Sequence, residues 1–384
     1  MKPIPYGRQC ITEADADAVR LAIRQDFLTQ GPTIETFESE IKSRVLSDRA
    51  TAVSSATAAL HLAYSAMGLG AGKTLWTSPI TFVSTANAAR FCGASVDFVD
   101  VDSDTGNLCP QRLLDKLKAS AENKTLPSLV VPVHLGGSSC DMESIKDACD
   151  RYEVGVVEDA SHALGGSYLG EPVGSCKFSD AAVFSFHPVK MITTGEGGCV
   201  TTNSDHLAAA VSQLRSHGIT RDDDQLTNQS EGGWYYEQQR LGFNYRITDI
   251  QAALGLSQIK RLESFVETRN KIADAYHKCL PTEAVPVKPL TGVRSSYHLF
   301  MVLLPDAETR RRVYDHLHSQ NIRVQVHYIP VHYHPYYQDL GFNRGDFPDA
   351  ESFYDRVLSL PMFPQLTVAE IERVNTALAE ALRS

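Results

Sequence analysis

Two short stretches of the chain carry side chains that can do chemistry together. The first is Val156-Val157-Glu158-Asp159-Ala160-Ser161-His162-Ala163, an apolar run that ends in acid and imidazole. The second is Ser185-Phe186-His187-Pro188-Val189-Lys190, which leads into Thr193-Thr194-Gly195-Glu196-Gly197-Gly198. An unpaired carboxylate at the end of a buried strand is costly, so Asp159 needs a partner. A lysine just past a strand and just before a glycine-rich turn can point into a crevice. Taken singly, each has an ordinary explanation. Asp159 would cap the next segment, His162 would be a hydrogen-bonded core histidine, and Lys190 would be a solvated loop lysine. Taken together they meet the demands of pyridoxal phosphate. That cofactor needs an amine to form an imine with its carbonyl and a carboxylate to hold its pyridinium proton.

Other chemistries fit less well. No G-x-G-x-x-G opens the first βα unit and no G-x-x-x-x-G-K-[ST] occurs, which disfavours dinucleotide enzymes and P-loop NTPases. The segment His327-Tyr328-Ile329-Pro330-Val331-His332-Tyr333-His334-Pro335 holds three histidines. Pro330 and Pro335 break any helix that would align them, and no acid interleaves them, so no metal is expected. The eight cysteines form no C-x-x-C pair and read as small core residues in a reducing cytoplasm. With 46 acidic against 36 basic residues the net charge is −10, which argues against nucleic acid and anionic membrane as partners. The longest stretch free of charged residues, Ala50 to Gly72, contains Ser54, Ser55, Thr57 and His61 and makes a poor membrane span. The N-terminus lacks the apolar run of a signal peptide.

The elements that must position these groups alternate. Leu75–Thr77, Ser95–Val99, Leu129–His134, Val154–Glu158, Ala181–Phe186 and Cys199–Thr202 read as strands, several apolar throughout and so covered on both faces. Thr57–Met67, Phe82–Phe91 and Met142–Tyr152 read as helices, the last capped by Asp141. This predicts an α/β layer with a mainly parallel sheet, whose ligands sit beyond the C-terminal strand ends. Asn203–Leu241 reads as a long surface excursion, and Thr248 to about Cys279 as one long helix. Strands near Tyr297–Leu303 and Ile322–His327 follow, with helices near Ala307–His318, Ala350–Leu358 and Val368–Leu382. A large domain over residues 1–260, with an N-terminal arm, and a smaller α+β domain over 261–384 are therefore expected.

A series of segments in fixed order then carries a resemblance. They are Leu28-Thr29-Gln30-Gly31-Pro32, Ser55-Ala56-Thr57-Ala58-Ala59-Leu60-His61, Thr81-Phe82, Glu158–Ala163, Ser185–Gly198, Leu241–Gly255 and Leu358–Pro361. Nearly end to end, the chain resembles the sugar aminotransferases of the DegT/DnrJ/EryC1/StrS family, which have the aspartate aminotransferase fold (pyridoxal phosphate fold type I). Ser185–Lys190 and Tyr6-Gly7-Arg8-Gln9 are most similar to the subgroup acting in pseudaminic acid synthesis.

That resemblance implies roles. Lys190 would be the Schiff-base lysine and proton shuttle, which requires a neutral amine. Asp159 would pair with the ring nitrogen, His162 would touch the ring substituents, and Phe82 would stack on the ring face. The phosphate would lie at the helix opened by Ser55, within Ala56, Thr57 and Ala58, with hydroxyls from Thr57 and Ser185. Asn244 would reach the phosphate from a neighbouring subunit, which implies a homodimer with shared sites. Tyr6, Leu28, Thr29, Gly31, His327, Tyr328 and His332 would border the sugar. Arg8, Arg246 and Arg323 are candidates for the diphosphate or the donor carboxylates. The implied reaction is transamination from L-glutamate to a UDP-linked 4-keto-6-deoxy-N-acetylhexosamine, in the cytoplasm. A dTDP-linked or 3-keto sugar, or a non-catalytic cofactor-binding protein, are the alternatives. Dehydration is disfavoured, because family dehydratases carry histidine where Lys190 stands.

Overall fold

The computed structural model describes residues 2–383. Seven strands form its main sheet: β1 (Arg49–Val53), β2 (Thr74–Thr77), β3 (Ser95–Phe98), β4 (Leu129–Val131), β5 (Gly155–Asp159), β6 (Ala181–Ser185) and β7 (Gly198–Thr202). Their order is β1-β7-β6-β5-β4-β2-β3. Pairs from β6 to β3 are parallel, and β7 runs antiparallel to both β6 and β1. The mainly parallel sheet expected from the alternating pattern is therefore present. Strand β4 ends at Val131 rather than His134, since Pro132 has no N–H for the ladder. Strand β1 was hidden in the sequence, because Arg-Ala-Thr-Ala-Val has neither an apolar run nor clear alternation.

Helices α1 (Glu13–Ala22), α2 (Pro32–Val45), α3 (Ala56–Ala66), α4 (Ser84–Phe91), α5 (Pro110–Asn123) and α6 (Met142–Asp150) accompany the strands. Asp141 caps α6 as expected, accepting from Ser144 N–H at 3.2 Å. The region read as a surface excursion begins instead with α7 (Asp205–Arg215). Ser204 caps it, and Leu207, Ala210, Val211 and Leu214 are buried at helical spacing. Only its continuation is irregular, pinned by Ile219–Thr220 pairing with Glu237–Gln238.

The expected long helix is two: α8 (Asp249–Ile259) and α9 (Leu262–Cys279), broken where Arg261 turns to meet Asp15 at 2.5 Å. The Asp249 carboxylate also accepts from Gly31 N–H (2.8 Å) and Thr33 N–H (3.1 Å), so α8 caps α2, which has no cap of its own.

A second layer holds a three-stranded antiparallel sheet of Val285–Pro286, Phe300–Leu303 and Val357–Leu360 with α10 (Ala307–Ser319), α11 (Pro335–Gln338), α12 (Pro348–Arg356) and α13 (Val368–Arg383). Ile322–His327 is not a sheet strand; it makes single bridges at Ile322 and Gln325. Val357–Leu360, read as a helix end, is the sheet's edge strand. Ile4 of the N-terminal arm packs in this layer's core with Ile322 and Phe363, not with the first domain. Helix α9 serves both layers, burying Leu262, Phe265 and Val266 in one and Ile272, Ala273 and Tyr276 in the other. Among the described residues no helix is long and apolar enough to cross a membrane.

One glycine fixes how α3 meets the sheet. A Cβ at Gly198 would lie 2.6 Å from Ala56 N and from Ser55 C and O, so only glycine lets the helix start approach β7. Gly198→Ala should destabilise the protein by about 1–3 kcal/mol. The check is a lower urea midpoint at unchanged slope; an unmoved midpoint would mean the helix can back away freely.

Candidate active site

The strand ends on one side of the sheet open into a cavity of about 550 Å³. Asp159, the last residue of β5, has its backbone held by β4 and β6: its N–H donates to Pro132 O at 2.9 Å, and Ala160 N–H donates to Val183 O at 2.9 Å. Its side chain is buried and lines the cavity. Oδ2 accepts from the Thr85 hydroxyl at 2.6 Å and Oδ1 from Ser161 N–H at 3.2 Å. No cation of the described residues lies within ion-pair distance of it.

Lys190 sits in the β6–β7 loop. Its N–H donates to His187 O at 2.9 Å, while Phe186 N–H donates to Gly197 O at 2.9 Å, closing the hairpin beneath it. The lysine lines the same cavity as Asp159. Burial lowers its amine to about 8, with the Asp159 carboxylate pulling the other way.

The helix start of α3 forms another wall. Ser55 is its N-cap and accepts from Ala58 N–H at 3.1 Å. The Ala56 and Thr57 amides, the first two of the helix, have no intrahelical acceptor, and both residues line the cavity with Ser55 and Ser185. Ala58 does not line it; its amide is engaged by Ser55, so the expected anion contact falls to Ala56 and Thr57. Phe82 lines the cavity and remains 58% exposed, an apolar ring face left open to the space.

The second layer closes the far side with Tyr6, His298, His327 and Tyr328. His327 hydrogen-bonds Ser359 Oγ through Nδ1 at 2.8 Å, and burial followed by the Lys190 charge lowers it to about 3. His162 is buried, with Nδ1 3.2 Å from Gly136 N and Nε2 3.1 Å from Tyr328 Oη. Desolvation first, then Lys190, drives His162 well below its usual range.

Several expected residues lie elsewhere. His332 is fully buried away from the cavity; it bonds Glu351 at 3.0 Å and packs on Phe347 and Phe98, so it is a core histidine. Leu28, Thr29 and Gly31 do not line this chain's cavity. Leu28 O accepts from Asp249 N–H at 2.9 Å, Thr29 bridges Thr248, and Gly31 donates to Asp249. Asn244 is exposed, bridged to Ser216. Arg8 stacks on Phe363 at 4.8 Å, Arg323 meets His318 at 3.2 Å, and Arg246 bridges Val53; none lines the cavity. Sequence reasoning missed Thr85, His298 and Glu196. The Thr81–Thr85 helical spacing, now a 2.8 Å hydroxyl pair, was the one available signal.

This arrangement suits pyridoxal 5′-phosphate. A buried carboxylate without a cation fits a ring N–H⁺, unpaired helix amides fit a phosphate, and an open phenyl face fits a flat ring. A lysine in the loop after an interior strand of a mainly parallel α/β sheet, sharing a cavity with such a carboxylate, fits the class of fold type I enzymes dependent on that cofactor. Residues 9–379 match the DegT/DnrJ/EryC1/StrS aminotransferase family, to which the chain belongs. It is 37% identical to the spore coat polysaccharide biosynthesis protein SpsC of Bacillus subtilis, over 99% of this chain and 97% of SpsC. It is 35% identical to the UDP-4-amino-4,6-dideoxy-N-acetyl-beta-L-altrosamine transaminase of Campylobacter jejuni, over 99% and 97% of the two chains. Helicobacter pylori PseC, an aminotransferase involved in pseudaminic acid biosynthesis, superposes with a TM-score of 0.91 at 30% identity over the whole of both chains. Spr1654 of Streptococcus pneumoniae, in its pyridoxal 5′-phosphate form, superposes with a TM-score of 0.89 at 26% identity over 99% of this chain and 100% of that one, and the chain is an aminotransferase using that cofactor.

The amine near 8 has a kinetic consequence. The rate at which cofactor-free protein captures added pyridoxal 5′-phosphate should climb about tenfold per pH unit, levelling near 8. Stopped-flow absorbance reads it; a climb continuing into the ordinary lysine range would contradict the burial described.

Proposed function

We propose that the chain moves the amino group of L-glutamate onto a UDP-linked 4-keto-6-deoxy-N-acetylhexosamine, giving the 4-amino sugar of pseudaminic acid synthesis, as a cytoplasmic homodimer. The observation that carries the chemistry is the shared cavity of Lys190 and Asp159 beside the open amides of Ala56 and Thr57. When bound, the cofactor holds the amino group between donor and acceptor and takes up the electrons left when a Cα proton departs. Lys190 anchors it between turnovers. During them the freed amine, lowered by burial, would take a proton from the donor carbon in the first half-reaction and supply one to the acceptor carbon in the second. Asp159 keeps the ring nitrogen protonated, held in place by Thr85 and Ser161. Phe82 would lie against one ring face and keep water from it.

The substrate assignment is supported by the printed activity of the Campylobacter relative and the pathway of PseC. SpsC, at 37% identity, favours a second reading: the same chemistry on a different nucleotide sugar. Incubation with glutamate and a panel of UDP- and dTDP-linked keto sugars, followed by mass analysis of products, separates the two. Lys190→Ala should lose both the cofactor's visible band and turnover, by more than about a thousandfold. A variant that keeps either one sinks the mechanism.

The dimer is supported by charge. No arginine lines the cavity of one chain, yet glutamate and a nucleoside diphosphate bring several negative charges. Leu241 and Asn244 are exposed, while Phe243 and Tyr245 between and beside them pack on the core, so Asn244 and the neighbouring exposed Arg240 can reach a second copy's site. Mixing inactive Lys190→Ala with inactive Asn244→Ala chains should then restore roughly a quarter of wild-type activity, since each hybrid dimer holds one intact site. No recovery after subunit exchange would place Asn244 outside the shared site.

A further inference from the structure

The hydrogen bonds around His162 fix where protons sit. Gly136 and Gly137 both adopt left-handed backbone (φ 66° and 96°), and this turn after β4 aims the Gly136 N–H at His162 Nδ1, 3.2 Å away. A nitrogen that accepts a backbone N–H carries no proton of its own. A Cβ at Gly137 would fall 2.3 Å from Ser296 Oγ, whose hydroxyl in turn donates to His162 O at 2.8 Å, so the turn is locked against the histidine from both ends. Burial keeps the imidazole neutral, and a neutral ring holds one proton, which must therefore be on Nε2. Nε2 lies 3.1 Å from Tyr328 Oη, so His162 donates there and Tyr328 accepts. The rings stack with centroids 6.0 Å apart at 26°, which fixes the phenol's direction. Both nitrogens of His162 are thus engaged within the protein. The Tyr328 hydroxyl proton, by contrast, has no acceptor among the described residues, and Tyr328 lines the cavity. Burial, aided by Asp159, raises the phenol above its ordinary range, so it stays a donor.

Strand order says what faces it. The Ser55–Thr57 helix start follows β1, and Lys190 and Asp159 follow β6 and β5. The Gly136 turn follows β4, on the other side of the Lys190–Asp159 pair from Ser55. On pyridoxal 5′-phosphate the phosphate arm and the ring oxygen occupy opposite edges of the ring. With the arm at Ser55–Thr57, the nitrogen at Asp159 and the carbonyl carbon at Lys190, the oxygen edge would face the β4 side of the site, where the His162–Tyr328 pair lies.

Resting on that assignment of Asp159 and Lys190, we propose that Tyr328 is the hydrogen-bond donor to the cofactor's ring oxygen, and that His162 is a positioning residue aiming it. The expected contact from His162 to the ring substituents is thereby passed to the tyrosine of the second layer.

A donor at this oxygen stabilises its anionic form and lowers the pH at which the bound cofactor's visible band titrates. Holoenzyme titrated by absorbance should show that midpoint rise by about one pH unit in Tyr328→Phe. His162→Leu, which leaves the phenol unaimed, should raise it similarly, and the double variant no further than Tyr328→Phe alone. His162→Gln, whose amide N–H still donates to the phenol, should titrate near wild type. An unmoved midpoint in Tyr328→Phe overturns the proposal: if His162→Leu still raises it the donor is His162 itself, and if neither variant does the donor is absent. A wild-type protein without the band, or a Lys190→Ala variant that keeps it, would instead refute the Lys190 and Asp159 assignment.

Discussion

A carboxylate buried without a cation is the constraint on which the site depends. Asp159 ends β5 in the middle of the sheet, where neighbouring strands hold its backbone on both sides. Two hydrogen bonds satisfy it in part, but leaving a carboxylate out of water without an opposite charge costs several kcal/mol. A protonated ring nitrogen removes that cost. Relief of that cost would contribute to cofactor affinity, and whatever binds the folded chain in this way also stabilises it by mass action.

The same burial sets the other groups around the cavity. His162, His298 and His327 are all depressed by desolvation, and the Lys190 charge adds to each. Three imidazoles kept neutral supply donors and acceptors without competing for Asp159 or the phosphate. Beside these three imidazoles, the Lys190 amine, lowered to about 8, is placed to change charge near neutral pH. Arg269 completes the frame from behind. Fully buried, its Nη1 donates to the carbonyls of Tyr297, His298 and Met362 at 3.0–3.3 Å, fixing the segment that carries His298 to the chain leaving the small sheet.

The sequence made the first layer largely legible and the second only in part. Strands such as Val156–Asp159 and Ala181–Ser185 are buried on both faces, and burial on both faces writes an unbroken apolar run. Strand β1 and Val357–Leu360 have mixed or helix-compatible composition, and their pairing is decided by neighbours distant in the chain. Asp159, Lys190 and the Ser55 cap were visible because each sits at a predictable element end. His332 misled because proximity in sequence to His327 says nothing of facing; Pro330 sends the chain around the short turn at Val331, and the imidazole goes to Glu351. Leu28–Gly31 misled for a similar reason, since what the segment does within one chain is seat α2 on Asp249.

The two layers meet through groups that neither could place alone. Tyr6 comes from an arm anchored by Ile4 beside Ile322, and His327 from a segment hung on Ser359 of the edge strand. Each is set by the second layer's core, yet each faces strand ends of the first. The Tyr328–His162 hydrogen bond crosses the same boundary at 3.1 Å, and its direction is dictated by a backbone amide of the first layer. Small movements between the layers would therefore change hydrogen bonding at the reacting end before they changed the phosphate end, which β1, β7 and α3 hold within one rigid sheet edge.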